Sequence, residues 1–331
     1  MTHRSPLGLA LLALALPAAA RAQTPPPDAA NIWTIQGENA SISTAKLSDR
    51  DYTNGIRLGW TSAEGAAPDF LQTLGRTLWG PGRTRVALEL SQQIYTPTNN
   101  TVPNPPANDR PYAGVMLATG SLIEDAGNTR SALGLSLGMV GPAALGRQVQ
   151  NGFHDLIGQN RVKGWGTQLR DEPLLEITSQ RTWRLAIGSV GALETDALPE
   201  ITAGVGNLRD YAEAGVTLRV GQGLASDFGV ARINPGLTGT DVYRPTRPFA
   251  WYVFAGADAQ AVAYDLTLEG NTWQDSRHVT IKPAVGEFQM GLAVMAYGVR
   301  LSYTQVFQTQ EYRHQKGGLH QFGSLALSAR F

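Results

Sequence analysis

The sequence predicts an all-β protein: a transmembrane antiparallel β-barrel of about twelve strands, with a short helix in one long loop. Three observations carry that prediction. Segments of alternating apolar and polar residues recur between turn-forming residues, an amino-terminal export signal is followed by no apolar run long enough for a membrane helix, and the last alternating segment ends on an aromatic residue.

The export signal comes first in the chain. His3 and Arg4 give a basic start, residues 7–16 are apolar, and Ala20-Arg21-Ala22 offers an A-x-A cleavage site. Residues 1–22 are therefore expected to be a signal peptide and residues 23–331 a single barrel domain, with the mature chain starting near Gln23. A retained anchor is the alternative, but the apolar stretch falls short of the roughly 20 residues that a spanning helix needs. The rest of the composition fits a barrel: 37 Gly, 16% charged residues, no Cys and a formal net charge of zero. Without cysteine there is no disulfide framework and no thiolate metal site. A neutral chain gives no support for a nucleic-acid partner, which selects a basic face.

After Pro25-Pro26-Pro27, strands are expected at 32–36, 56–61, 86–95, 112–123, 131–140, 174–179, 183–189, 211–220, 251–257, 264–268, 286–295 and 299–307 and at the carboxy terminus. In the last of these, Leu325, Leu327, Ala329 and Phe331 share one face, opposite Ser324, Ala326, Ser328 and Arg330. A lipid-facing row opposite a polar lumen-facing row follows. A strand ending on a terminal aromatic also resembles the signal by which bacterial barrels are directed to outer-membrane assembly, so a Gram-negative outer membrane is the expected location. Trp33, Trp60, Trp165, Trp251, Tyr252 and Tyr303 lie near predicted strand ends, as an interfacial aromatic girdle requires. Core aromatics of a soluble sandwich are the competing explanation. The long connections 97–110, 141–170 and 226–248 are expected to be extracellular loops, and the barrel is expected to be a monomer surrounded by outer-membrane lipids.

One segment abandons the two-residue alternation. Residues 144–158 take up a helical period, with Val149, Phe153 and Leu156 on one apolar stripe and Gly158 placed to end the helix. Gln150 and His154, four residues apart, share an adjacent face. An imidazole there can act as general base toward water, while a surface histidine beside a loop is the plainer reading.

Taken together, several segments resemble the outer-membrane lipid A 3'-O-deacylase family. They are Glu38-Asn39, Asp49-Arg50-Asp51-Tyr52-Thr53-Asn54-Gly55, Asn108-Asp109-Arg110-Pro111-Tyr112-Ala113-Gly114, Gly141-Pro142, Gln150-Asn151 with His154, Gly164-Trp165 with Gln168, and Leu268-Glu269-Gly270-Asn271. They occur in order across almost the whole mature chain. The resemblance implies a twelve-stranded barrel that uses calcium to hydrolyse the ester of the 3'-linked acyloxyacyl group of lipid A in lipopolysaccharide. Position by position, it implies that Asn39, Thr53, Gln150 and His154 form the catalytic site, His154 activating a water while a cation and amide groups hold the oxyanion. One departure stands out. The family places an aspartate directly after the asparagine, and this chain has Ala40, so calcium would lean on Asp49 or Asp51 as its carboxylates.

The competing functions are a catalytically weak or inactive relative serving as a structural barrel or narrow pore, and a barrel phospholipase. The latter is disfavoured because His154 has no partner serine in a matching motif. Asp49, Asp51 and Asn54 also suit a plain polar turn. Asp109 and Arg110 are expected to form a lumen-facing ion pair, Asn271 to belong to the turn after Gly270, and His278, His314 and His320 to be loop or lumen residues.

Overall fold

A soluble sheet buries its apolar residues, and this chain does the reverse. In the computed structural model, which describes residues 26–42 and 49–331, Ile35, Leu58, Leu90 and Leu327 are exposed while their neighbours Gln36, Arg57, Ser91 and Ser328 are buried. Apolar side chains outside and polar ones inside is the arrangement a strand adopts when hydrocarbon surrounds it and water or polar side chains fill the interior. The predicted export segment, residues 1–22, lies outside the described residues.

The strands are β1 (Ile32–Asn39), β2 (Asp51–Thr61), β3 (Arg83–Thr96), β4 (Ala113–Ala126), β5 (Thr129–Val140), β6 (Glu172–Trp183), β7 (Leu185–Val190), β8 (Leu193–Gly206), β9 (Arg209–Gln222), β10 (Phe249–Asp265), β11 (Ala284–Ala296), β12 (Val299–Gln308) and β13 (His320–Arg330). Neighbours in sequence pair antiparallel, β1 pairs with β13, and β6 pairs with β8, which closes the sheet on itself. β6 and β7 lie on β8 in a single register, Thr182 opposite Glu200 and Leu185 opposite Ala197. They are one stave interrupted at Arg184, so the thirteen strands make a closed barrel of twelve staves. Closure matters energetically, because an open edge in lipid leaves peptide groups unbonded at several kcal/mol each.

The structure corrects the sequence reading in five places. β8 was not expected as a strand: Pro199 stands in its interior, opposite Val216, and interrupts the residue pattern. Residues 183–189 and 264–268 are not separate strands, since the first continues the β6 stave and the second is the end of β10 running into the single turn α3 (Leu266–Glu269). A helix that the alternation gave no sign of, α1 (Asp69–Trp79), fills the connection from β2 to β3. Of the aromatic girdle, Trp33 is exposed, but Tyr252 points inward and Trp165 is buried under a loop.

The fifth correction concerns the segment 226–248. It connects the ends of β9 and β10 that lie beside the chain termini, opposite the end carrying 97–110 and 141–170. Instead of forming an outer loop it folds up into the lumen. The Ala231 carbonyl accepts from Gln36 Nε2 at 2.8 Å, and the Ile233 and Asn234 amides donate to the Glu38 carboxylate at 2.9 and 3.0 Å. Buried ion pairs bind it to the wall: Arg57 to Asp241 at 2.8 Å, and Arg219 and Arg300 to Asp227 at 2.6 and 3.2 Å. A buried charge is tolerable only when paired and hydrogen-bonded in this way.

Candidate active site on the outer wall

The helix α2 (Gly146–Leu156) forms within the long 141–170 connection, as the helical period predicts. It sits against the outside of the barrel. Gln92, on the same outward-facing row of β3 as the exposed Leu88 and Leu90, donates from Nε2 to the Ala144 carbonyl at 2.7 Å. Ile94 on that row packs with Tyr112, Val162 and Trp165, and Val149 of the helix covers them. Close approach is possible because two glycines face each other: a Cβ on Gly146 would stand 3.0 Å from the Gly114 Cα and 2.7 Å from Trp165 Cη2. The chain enters the helix through Leu145 in the left-handed region, φ 60°.

The face that α2 turns toward the wall is polar: Gly146, Gln150 and His154 are its buried residues. Gln150 Oε1 accepts from Trp165 Nε1 at 2.8 Å, while its Nε2, also buried, has no acceptor among the described residues. His154 Nδ1 meets the Asn160 carbonyl at 2.7 Å, and a carbonyl can only accept, so this nitrogen carries a proton. Nε2 meets Asp49 Oδ2 at 2.9 Å. The Asp49 carboxylate is an acceptor too, so Nε2 donates in this contact; with Nδ1 committed to the carbonyl, Nε2 is the nitrogen left to give up its proton and take it back. The helix is tied to its return segment by Asn151, which accepts from the Val162 amide at 2.8 Å, and by an exposed Arg161–Asp155 pair at 2.7 Å.

Asp49 is held in its turn by the barrel. Its backbone carbonyl accepts from Thr96 Oγ1 at 2.9 Å and from Asn100 Nδ2 at 3.2 Å. Thr96 thus spends its proton on a carbonyl, so in its 2.7 Å contact with Thr53 the Thr53 hydroxyl is the donor. Thr53 is the extra residue of a β-bulge, at the register shift between Tyr52 and Asn54, which turns its side chain to the outer face. Asn39 and Asn54 stand opposite each other on β1 and β2, their amides 3.1 Å apart, and Asn39 shares the outward parity of Trp33 and Ile35. A continuous hydrogen-bonded path runs from His154 through Asp49 and Thr96 to Thr53.

The structure thus gathers His154, Gln150, Thr53 and Asn39 on one outer face at the rim. It separates the two aspartates. Asp51, in the left-handed region at φ 59°, buries its carboxylate on the lumen side, 3.8 Å from both Arg50 Nε and His320 Nδ1. Ala40 is fully buried and belongs to the apolar cluster of Tyr52, Tyr95 and Phe322. Calcium prefers 6–8 oxygen ligands, and the carboxylates near the imidazole are already engaged, Asp49 by His154 and Asp155 by Arg161. Among the described residues no three acidic or histidine groups converge to hold a metal, so the residues present do not make the calcium cage that the resemblance implies.

Sequence reasoning gave no role to Thr96 or the Asn160 carbonyl, placed Trp165 in the girdle rather than against Gln150, and gave no sign that Asp49 meets the imidazole. It also misjudged one ion pair nearby, while Asn271 does belong to the turn after Gly270. Arg110 pairs with Glu311 at 3.1 Å, not with Asp109, which accepts from the Tyr312 hydroxyl at 2.8 Å. Asn271 clasps both backbone groups of Arg170 at 2.9 Å, fastening the end of the α2 loop to the turn after Gly270.

Comparison with known proteins places this geometry. The family model described as "Outer membrane protein LpxR" matches residues 7–331. Among solved structures, LpxR from Salmonella typhimurium superposes with a TM-score of 0.75 at 22% identity, covering 91% of this chain and 100% of that one. The β domain of the Bordetella autotransporter BrkA gives a TM-score of 0.46 at 11% identity, covering 92% and 100%. No curated protein is significantly similar in sequence. A family match over nearly the whole length, on a closed barrel of twelve staves, establishes that this outer-membrane chain belongs to the LpxR family.

Proposed function

We propose that the protein is a lipid A deacylase of the outer membrane, hydrolysing the ester that holds the 3'-linked acyloxyacyl group. The observation that carries this reading is the position of the imidazole: it lies outside the barrel wall, at the rim, above the apolar rows of β2 and β3. An ester in the outer leaflet reaches such a site sideways, without leaving the membrane.

In the proposed reaction a water takes the place of Asp49 at Nε2 of His154. The imidazole accepts the water's proton while the oxygen attacks the ester carbonyl, and Asp49 balances the imidazolium charge. The Gln150 amide, a buried donor without an acceptor among the described residues, is the group to take the oxyanion, with Asn39 on the same outer face of the wall. Collapse of the tetrahedral intermediate breaks the bond to the sugar oxygen, which recovers the proton from Nε2, and the acid leaves. Thr53 contributes by fixing Asp49 through Thr96. Calcium would add positive charge at the oxyanion, and no step of this route depends on it.

The narrow-pore alternative has to contend with a lumen filled by 226–248, in which a cavity of about 220 Å³ remains among Arg57, Glu89, Thr119, Gln180, Arg232 and Asp241. The test of the proposed activity is incubation of the purified, folded barrel with detergent-dispersed lipid A. Release of the acyloxyacyl acid by the wild type, and none by His154→Ala, is expected. Equal release by the two proteins would remove His154 from the mechanism.

A further inference from the structure

Helix α2 is docked the wrong way round for a helix held by apolar contacts. At about 100° per residue, Leu145, Val149, Phe153, Leu156 and Ile157 occupy an arc of roughly 120°. An ordinary docked helix buries such an arc. Here the buried residues are Gly146, Gln150 and His154, and of the apolar arc only Val149 is covered. Phe153 is 53% exposed, Leu156 81%, Ile157 48% and Leu145 44%. A contiguous apolar surface left open in this way marks a place of contact with something else.

The fold says what that is. The arc lies on the outer side of the wall, on a helix hung from the row of β3 whose next members, Leu90 and Leu88, face the hydrocarbon. It is therefore continuous with the lipid-facing surface of the barrel. The opposite arc of the helix carries Arg147, Gln148, Asn151 and Asp155, the polar face that an interfacial helix turns to water. We infer that the Phe153–Leu156 edge of α2 is immersed in the acyl region of the outer leaflet, as a ledge that sets the height of His154 and bounds the path of a substrate's acyl chain. This goes beyond the proposed deacylation, and its test does not require activity.

The chain has no cysteine, so a single introduced thiol reports one position. Leu156→Cys and Arg147→Cys, which lie about 180° apart around the helix and are both exposed, are each labelled with a nitrobenzoxadiazole fluorophore. The labelled barrels are inserted into phosphatidylethanolamine and phosphatidylglycerol vesicles containing nitroxide-labelled acyl chains. Both sites are exposed and outside the barrel, and retention of the folded form on unheated gels confirms assembly. The inference predicts that the acyl-chain nitroxide quenches the label at 156 by about half and that dithionite reduces it slowly, with the reverse at 147. Equal, rapid dithionite reduction at both positions, with no acyl-chain quenching at 156, overturns it, whatever the lipid A assays show.

Discussion

Gly146→Ala tests whether the site depends on close seating of α2 on the wall. The added methyl would stand 2.7 Å from Trp165 Cη2 and 3.0 Å from the Gly114 Cα. Carbon atoms rest at about 3.5–4.0 Å, so the helix must yield by roughly 1 Å. The wall cannot yield instead, because Gly114 is paired with Ile94 inside a closed sheet. Displacement of the helix moves His154 and Gln150 together relative to Thr53 and Asn39 on the wall and to Asp49, which stays clamped to β3 through Thr96. A misplacement of that size costs about 100-fold in rate, or ~2.7 kcal/mol of transition-state stabilisation. The overpacking itself costs about 1–3 kcal/mol, borne by the loop rather than by the barrel. The control is Gly152→Ala, where the methyl meets nothing within 4 Å and gains helix propensity. The assay is the initial rate of acid release by the two variants, each shown to be folded by its heat-modifiable gel mobility. A wild-type rate from Gly146→Ala would refute the dependence of catalysis on this contact.

Asp49→Asn keeps the hydrogen bond to Nε2 but removes the charge facing the imidazolium, and the rate should fall by about 10²–10⁴-fold, with KM nearly unchanged, in the same assay. Ala40→Asp restores the family's acidic residue, yet places a carboxylate beside Tyr52 and Phe322, so the midpoint of thermal unfolding should drop rather than the activity rise; a more stable or more active variant would contradict the packing described. Because no three acidic or histidine groups converge there among the described residues, deacylation should persist in EDTA; its collapse and rescue by calcium would show that a cation completes the site. Burial outweighs the neighbouring Arg110 and pushes the Glu311 carboxyl up to about 7 from 4.5, so the folded state binds the proton more tightly. Its contribution to stability is then complete below about pH 4.5 and lost as pH rises through about 7, and Glu311→Gln should flatten that part of the unfolding profile.

Much of this was legible because a barrel writes its period into the chain. The rows of β13 could be read directly, since Leu325 and Leu327 face out and Ser324 and Ser328 face in. What failed were places where local chemistry breaks the period without breaking the strand: Pro199 in β8 and Arg184 between β6 and β7. The lumen segment reads as a loop because it joins two strands without alternation of its own, and it is the ion pairs to Arg57, Arg219 and Arg300 and the hydrogen bonds with Gln36 and Glu38 that show it is interior. In the site, the spacing of Gln150 and His154 announced a shared helix face. The orienting partner of His154 is a backbone carbonyl, which leaves no mark in a sequence. Nor could spacing tell Asp49 from Asp51, because it is the bulge at Thr53 and the positive φ of Asp51 that send the two carboxylates to opposite sides of the wall.

The central claim, an imidazole on the outer wall that cuts lipid A within the membrane, is tested most directly by the mass spectrum of lipid A from a Gram-negative strain with fully acylated lipid A that expresses the chain. Wild-type protein should shift the main species down by the mass of one acyloxyacyl group, and His154→Ala, inserted at the same level, should leave it in place. An unshifted spectrum from correctly inserted wild-type protein would contradict the account.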